Sequence, residues 1–415
     1  MKRIGLLLVL MGWACLAKAQ LTLEACYAQA EANYPLIKQY GLVEQSREFN
    51  LSNASKGYLP QIGVSAGAYA FTDIMDMPAQ LQQMAGGMEN HVLTASVTVN
   101  QSIYDGGAIA ARRGLAKAEA EVEKGQVEVS MYDVRQRIDQ LYFGVLSIEE
   151  QLKQTLLLED DLKLSLQTVE GLMRGGLANQ SDVDAVRVEQ IKANQRVGSL
   201  RTLKRTYLLM LGTFIGQRLG EETTLTKPVT SGSELDRSNY RPELNLYSAQ
   251  SQLLNAQKKM LDVQLRPKVG AFATGMLHSK VTDFVNNGLL LGGVSLSWNL
   301  GALYTRKTDL QKLELQRRQI GVTRETFLFN TQLQSESSDG VIQDLKTQLA
   351  QDAEIVALRE GIRDRAQRRV ENGIETVNEM LREINAVSEA RQTQALHEIQ
   401  LLQEIYHLKH LYNNW

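Results

Sequence analysis

An α+β protein built as a tandem repeat is what this sequence predicts, each half supplying two short β-strands and two long helices of coiled-coil type. Three observations carry that reading. First, the 415-residue chain holds only six prolines. The proline-free stretches 79–227 and 268–415 leave room for long helices, because proline in a helix interior costs roughly 3 kcal/mol. Second, prolines recur: Pro35 and Pro242 are 207 residues apart, and so are Pro60 and Pro267. Third, apolar residues alternate with period two in short segments and follow heptad spacing elsewhere.

The opening residues stand apart from this pattern. Lys2 and Arg3 precede an apolar run from Ile4 to Trp13, and Ala17-Lys18-Ala19 offers a small-x-small cleavage site before Gln20. Residues 1–19 read as a secretory signal peptide. A rival processing site, lipid attachment at Cys15, has a poor approach in Gly12-Trp13-Ala14. Cleavage before Gln20 leaves Cys26 as the one cysteine, so a disulfide scaffold is excluded. Beyond the leader no apolar run approaches the ~18–20 residues of a spanning helix; the densest, Leu208 to Ile215, is too short. The expected product is exported without a transmembrane helix, either soluble outside the cytoplasm or a β-barrel.

The duplication sets the domain plan. Tyr34-Pro35-Leu36 answers Arg241-Pro242-Glu243, and Tyr58-Leu59-Pro60-Gln61 answers Leu265-Arg266-Pro267-Lys268. Further on, the offset falls to 197: residues 97–103 align with 294–300, and Gly176-Leu177 with Gly373-Ile374. A longer loop at 71–91 than at 278–288 accounts for the change, since loops tolerate insertions. Residues 20–215 and 241–415 form the two repeats, each helix, two strands and a helical hairpin. Residues 216–240, rich in Gly, Glu, Thr and Ser around Pro228, read as the linker.

In each repeat the strands come first. Val97-Val99-Gln101-Ile103 and Val294-Leu296-Trp298-Leu300 give one mostly apolar face; Thr98-Asn100-Ser102 and Ser295-Ser297-Asn299 give a polar one. The partner strands, 61–71 and 268–277, are rich in Gly and Ala. This length and alternation fit a membrane barrel and a half-buried soluble sheet equally. Asp105-Gly106-Gly107 lacks the Lys-Ser/Thr of a phosphate loop and reads as a turn into a helix.

The helices follow. Val134, Ile138, Leu141, Val145, Ile148 and Leu152 step in heptads, and Leu162, Leu166, Val169 and Met173 continue them. Val197, Leu200, Lys204, Tyr207 and Leu211 mark a return helix, and Val377, Leu381 and Ile384 repeat the spacing. A helix over 108–173 would be roughly 100 Å long. Gly175-Gly176 and Gly373 sit where the chain reverses, as left-handed C-caps, and Asn179-Gln180-Ser181-Asp182 opens the return helix. Four strands cannot close a barrel, and an open edge in lipid leaves backbone groups unbonded. A membrane sheet would have to be shared between chains, and a conduit needs at least three of them.

In their order, spacing and duplication, Leu21-Thr22-Leu23-Glu24-Ala25, Asn33-Tyr34-Pro35, Tyr58-Leu59-Pro60-Gln61, Ile103-Tyr104-Asp105-Gly106-Gly107 and the segments 176–183 and 373–380 resemble the TolC-type outer-membrane efflux family (outer membrane factors) of Gram-negative bacteria. The resemblance covers essentially the whole mature chain. It implies a homotrimer whose protomers each give four strands to a shared transmembrane β-barrel in outer-membrane lipid. Their long coiled-coil-like helices would form a periplasmic α-barrel. It implies a passive export duct of a tripartite efflux or type I secretion system, working with a periplasmic adaptor (membrane fusion protein) and an inner-membrane RND or ABC transporter. It places Gly176, Leu177, Gly373 and Ile374 at the tip where adaptors dock, and Asp182 and Glu379 at the tunnel gate. Two departures stand out: Leu300-Gly301-Ala302 replaces an Asp-Gly-Gly turn, and Ala178 replaces a small polar residue after Leu177. The alternative is a soluble periplasmic coiled-coil adaptor or chaperone scaffold, which would carry one hairpin rather than two.

Other chemistry is thin. Net charge is −2, with 45 basic and 47 acidic residues, which argues against a nucleic-acid partner. There is no nucleophile elbow and no metal-ligand cluster, and paired acids lie at solvent-facing helical spacing. No enzyme, metal or cofactor is expected. Met75, Met77, Met84, Met88 and His91 could offer soft ligands to monovalent copper or silver, although a flexible external loop is the simpler reading. His407 and His410 lie three apart without a third ligand and read as an exposed terminal helix. Tyr69, Phe71 and Phe272 are candidates for an aromatic girdle at a membrane interface.

Overall fold

Glycine, proline and short polar caps punctuate the chain where its elements begin and end. The computed structural model describes residues 21–70, 91–229, 236–278 and 288–413. Thr22 caps α1 (Leu23–Asn33) by accepting the Ala25 N–H at 3.2 Å. A 3₁₀ turn at Pro35–Ile37 leads to α2 (Lys38–Ser55), β1 (Gln61–Ala70) and β2 (His91–Tyr104). Next come α3 (Ala108–Arg174) and α4 (Gln180–Ile215), which ends on Gly216 at φ 71°. The succession then recurs as α5 (Pro242–Gln264), β3 (Lys268–His278), β4 (Gly288–Ser297), α6 (Ala302–Glu371) and α7 (Val377–Tyr412). Much of the Met-bearing loop falls at 71–90, outside the described residues, as does the shorter one at 279–287.

The chain divides into two compact units. One gathers Gln39–Gln126 and Glu243–Glu325. Its strands form one antiparallel sheet in the order β1-β2-β3-β4. The expected strand 294–300 stops at Ser297. There Asn299 Oδ1 accepts the Gly301 N–H at 3.0 Å, and Trp298 Nε1 donates to the Leu265 carbonyl at 2.9 Å, turning the chain into α6. Asp105 makes the matching turn into α3, its carboxylate accepting the N–H groups of Gly107 at 2.8 Å and Ile109 at 2.6 Å.

The other unit gathers the described residues up to Lys38 with Val127–Pro242 and Thr326–Trp415. The heptad residues Val134, Ile138, Leu141 and Val145 of α3 are buried against Leu208, Leu211 and Ile215 of α4 and Leu23, Cys26 and Tyr27 of α1. The expected linker is tied down in its described part. Leu219 and Leu225 enter this core, Leu225 bridges Leu21 in parallel, and Lys227 pairs with Glu150 at 3.1 Å and Glu398 at 2.8 Å.

The seam between α6 and α7 has a different character. Thr331, Ser335, Ser338 and Asp352 are buried on α6. Ser338 Oγ lies 3.2 Å from His407 Nδ1, and Asp352 Oδ2 lies 2.7 Å from His397 Nδ1. Not all acids therefore face solvent: Asp139, Asp352 and Glu383 are buried. Nor is the end of α7 exposed. His410 is 3% exposed and stacks on Tyr132 with centroids 4.2 Å apart. Burial first, then the charges of Arg241, His407 and Arg135, lower its pKa to about 3, so the imidazole is neutral.

Gly144 shows how closely α3 and α4 approach, since a Cβ there would lie 2.5 Å from Tyr207 Cε1. Gly144→Ala should cost about 1–3 kcal/mol of overpacking, outweighing the roughly 1 kcal/mol gained in helix propensity. Thermal unfolding in detergent should show a lower Tm, restored by adding Tyr207→Leu; an unchanged Tm would contradict the close packing.

Candidate functional site: a two-faced sheet and paired helical tips

The sheet separates its side chains by chemistry. In register, Ile62 opposes Val99, Val64 opposes Val97 and Ala66 opposes Ala95. The same row continues through Gly275 and Ala273 of β3 to Leu290 and Gly292 of β4, flanked by Val294 and Leu296. This face is apolar except at Gln101 near its end, yet Ile62, Val64, Leu290, Val294 and Leu296 are exposed in the chain. The opposite face carries Ser65 against Ser96, with hydroxyls 2.8 Å apart, and Thr98 against Thr274 at 3.2 Å. Gln61, Asn100 and Ser295 extend it, with Leu289 and Leu291 as apolar intrusions. Because side chains alternate along a strand, Tyr69 and Phe272 share the polar face with Ser65 and Asn100. They do not form a girdle on the apolar face, and Phe71 lies outside the described residues.

The helical hairpins of the other unit end in matching turns. At the end of α3, the Leu177 N–H donates to the Leu172 carbonyl at 2.9 Å and the Gly176 N–H to Met173 at 3.1 Å. At the end of α6, the Ile374 N–H donates to Arg369 at 2.8 Å and the Gly373 N–H to Val370 at 2.9 Å. Both are Schellman closures, which need a residue in the left-handed region at C′; Gly176 and Gly373 supply it at φ 77° and 71°. The two turns are neighbours, since a Cβ on Gly373 would lie 3.7 Å from Leu177 Cδ2. Beneath them Leu162, Val169, Val183 and Val186 share one core with Val370, Met380 and Ile384. Leu177 and Ile374 stay outside it, 62% and 75% exposed.

Asp182 and Glu379 occupy the third position of the two return helices but bond differently. Asp182 closes a capping box: its Oδ2 accepts the Asn179 N–H at 2.9 Å, while Asn179 Oδ1 accepts the Asp182 N–H at 3.2 Å. The Glu379 N–H donates to Thr376 Oγ1 at 3.3 Å, and its carboxylate accepts from Arg382 at 2.5 Å. Arg382 also reaches Glu383 at 3.3 Å. The pairing of Glu379 with Arg382 is a participant that position alone missed, although the i,i+3 spacing of opposite charges was a legible signal.

A sheet with one predominantly apolar face, made by a chain without a membrane-spanning helix among its described residues, points to a barrel wall. The family model "Outer membrane efflux protein" matches residues 26–217. That match spans the first of the two repeats, just under half of the chain. No curated protein matches it. Among solved structures it is similar to the outer membrane protein VceC of Vibrio cholerae, at 12% identity over 94% of this chain and 95% of that one, with a TM-score of 0.70. It is similar also to the CmeC outer membrane channel of Campylobacter jejuni (12%, 94% and 85%, TM-score 0.67). A third is the open state of the MtrE outer membrane channel of Neisseria gonorrhoeae (11%, 94% and 88%, TM-score 0.66). At these identities the likeness speaks for the fold. Family match and fold together support an efflux channel-tunnel of the outer membrane that reaches into the periplasm. The family is one of passive channels, trimeric and working with an adaptor and an inner-membrane pump, and the soluble-scaffold alternative is not favoured.

The paired turns define a stability test. An alanine at Gly176 or Gly373 must adopt the left-handed region, at a cost of about 1–2 kcal/mol. Hydrogen exchange at the Leu177 and Ile374 amides should quicken roughly tenfold in Gly176→Ala and Gly373→Ala respectively, each at its own turn; equal protection would contradict the Schellman closures.

Proposed function

We propose that this chain is an efflux protein, that three copies of it close one twelve-stranded barrel and that exported molecules pass through its lumen without energy input from the chain itself. One observation carries the reading: a four-stranded sheet with a predominantly apolar face that stays exposed among the described residues, and with β1 and β4 as its outer strands. In lipid each unbonded backbone group costs several kcal/mol, so β4 of one copy must pair with β1 of the next. Three copies restore every ladder and leave a lumen. The apolar face then meets lipid, and the Ser/Thr/Asn face lines the passage. A ten-residue strand is about 34 Å long, enough for the ~25 Å apolar band of such barrels when tilted.

On this reading residues 1–19 are the leader, residues 20–215 and 241–415 are two copies of one unit, and residues 216–240 join them. The exposed aliphatic side chains Leu177 and Ile374, each set by its glycine, present the docking tips for a periplasmic adaptor. An inner-membrane RND or ABC transporter supplies the energy. Asp182 and Glu379 narrow the mouth, where three copies bring six carboxylates near one axis.

Val97 and Thr98 separate the two faces at mid-strand. A lysine at a lipid-facing midplane position costs about 2–4 kcal/mol. Val97→Lys should therefore strongly reduce detergent-extractable trimer in outer-membrane fractions, whereas Thr98→Lys should assemble and shift ion selectivity toward anions in planar bilayers. Equal assembly of both variants would refute the assignment of faces. For the gate, Asp182→Ala combined with Glu379→Ala should raise single-channel conductance and weaken block by divalent cations. Unchanged conductance and block would remove these residues from the gate while leaving the barrel untouched.

A further inference from the structure

Asp139 of α3 is 8% exposed, and its Oδ1 accepts a hydrogen bond from the Tyr27 hydroxyl of α1. One turn earlier on α3, Arg135 Nε donates to Glu31 Oε1 of α1 at 2.9 Å. Tyr27 and Glu31 are four residues apart on one helix, and Arg135 and Asp139 are four apart on the other. The contact therefore has two rungs, and Arg135 stands at i,i+4 distance from Asp139 on its own helix. The rungs differ in burial: the side chains of Arg135 and Glu31 keep 27% and 45% exposure. The Arg135 guanidinium also lies over the rings of Tyr27 and Tyr132, at 5.7 and 6.0 Å.

We propose that this contact is a pH-sensitive latch, in which Arg135 exchanges Glu31 for Asp139 once Asp139 loses its proton, freeing the C-terminal end of α1 from α3.

The argument is one of desolvation against pairing. A charged carboxylate with one neutral donor is costly at this depth. Among the described residues the groups that face it are Tyr27 of α1, Arg135 of its own helix and Tyr406 of α7. Glu24 and Glu31 are the acids nearby on α1, Glu24 acting on Tyr406. In this set Arg135 is the cation. Burial pushes the Asp139 carboxyl up to about 7, with the Tyr27 hydrogen bond and Arg135 offsetting only part of that. Burial likewise pushes the Tyr27 hydroxyl upward. An unfolded Asp titrates near 3.9, so the folded chain holds this proton more tightly. The resulting stabilisation is complete below about pH 4 and is lost as pH rises through 7.

What the exchange frees is specific. Beyond Glu31, Asn33 Nδ2 donates to the Ile215 carbonyl at 3.0 Å, and Tyr34 stacks on Phe214 at 5.8 Å. The end of α1 is thus the tie between α3 and the C-terminus of α4, and an open latch slackens that tie.

Hydrogen exchange of the full-length protein tests this, read as the ratio of wild type to Asp139→Asn at each pH so that intrinsic exchange cancels. In peptides covering residues 28–34 the ratio should be near one at about pH 6 and rise roughly tenfold by about pH 8.5; a constant ratio would overturn the proposal. Glu31→Gln supplies the second arm and does not depend on the first variant folding. It releases Arg135 toward Asp139 and should move the wild-type exchange midpoint down by about one pH unit. A purely structural contact would change protection without moving the midpoint, and that outcome would also overturn the latch.

Discussion

A β-strand in lipid must have every backbone N–H and C=O bonded, and the organisation of this chain follows from that demand. Four strands in the order β1-β2-β3-β4 satisfy it everywhere except at the two outer strands. No rearrangement within one chain closes so small a sheet, so on the proposed reading completion comes from identical neighbours. Division of labour between the faces is then unavoidable: the row through Val64, Val97 and Gly275 carries no polar side chain, while the row through Ser65 and Ser96 is hydroxylated. Side-chain chemistry decides which way the wall faces, and backbone chemistry decides how many chains build it.

The helical unit is held by two seams of different kinds. Between α3, α4 and α1 the enclosed contacts are mostly apolar, with Ile138, Leu208 and Ile215 fully enclosed and the Tyr27–Asp139 bond set among them. Between α6 and α7 the enclosed side chains include Ser335, Ser338 and Asp352, and the ties are directed ones, Asp352 to His397 and Glu360 to Arg391. Apolar burial is tolerant of small sliding, because it scales with area. Directed pairs are not, because a buried partner left unbonded costs about 1–3 kcal/mol. The first seam supplies mainly adhesion and the second mainly register.

Much of this was legible in the chain. Heptad spacing at Val134 through Ile148 named buried residues of α3, and Gly176 and Gly373 marked the reversals, because only the left-handed conformation closes those turns. The polar seam was not legible: Thr331, Ser335 and Ser338 at helical spacing look like a solvated face, and only the partner helix makes them interior. His410 was misjudged for the same reason, its burial depending on Tyr132, which lies far away in sequence. Position placed Asp182 and Glu379 at the starts of the return helices, but did not reveal that one would bond to its own helix start and the other to Arg382. Hydrogen-bond partners are a property of three-dimensional neighbours, and residue types at a given spacing underdetermine them. The strapped segment around Leu225 is a further instance, since its Gly, Thr and Glu composition concealed two core leucines.

The two Schellman turns share little beyond a glycine and an aliphatic residue after it. Each spans five residues between helices, 175–179 in one hairpin and 372–376 in the other, and each is closed by the same pair of backbone bonds. A connector defined by main-chain geometry imposes the same phase on whichever helix follows. The tips therefore behave as interchangeable cassettes: their remaining side chains are open to diversification, while the glycine and the two closing bonds keep both return helices in step.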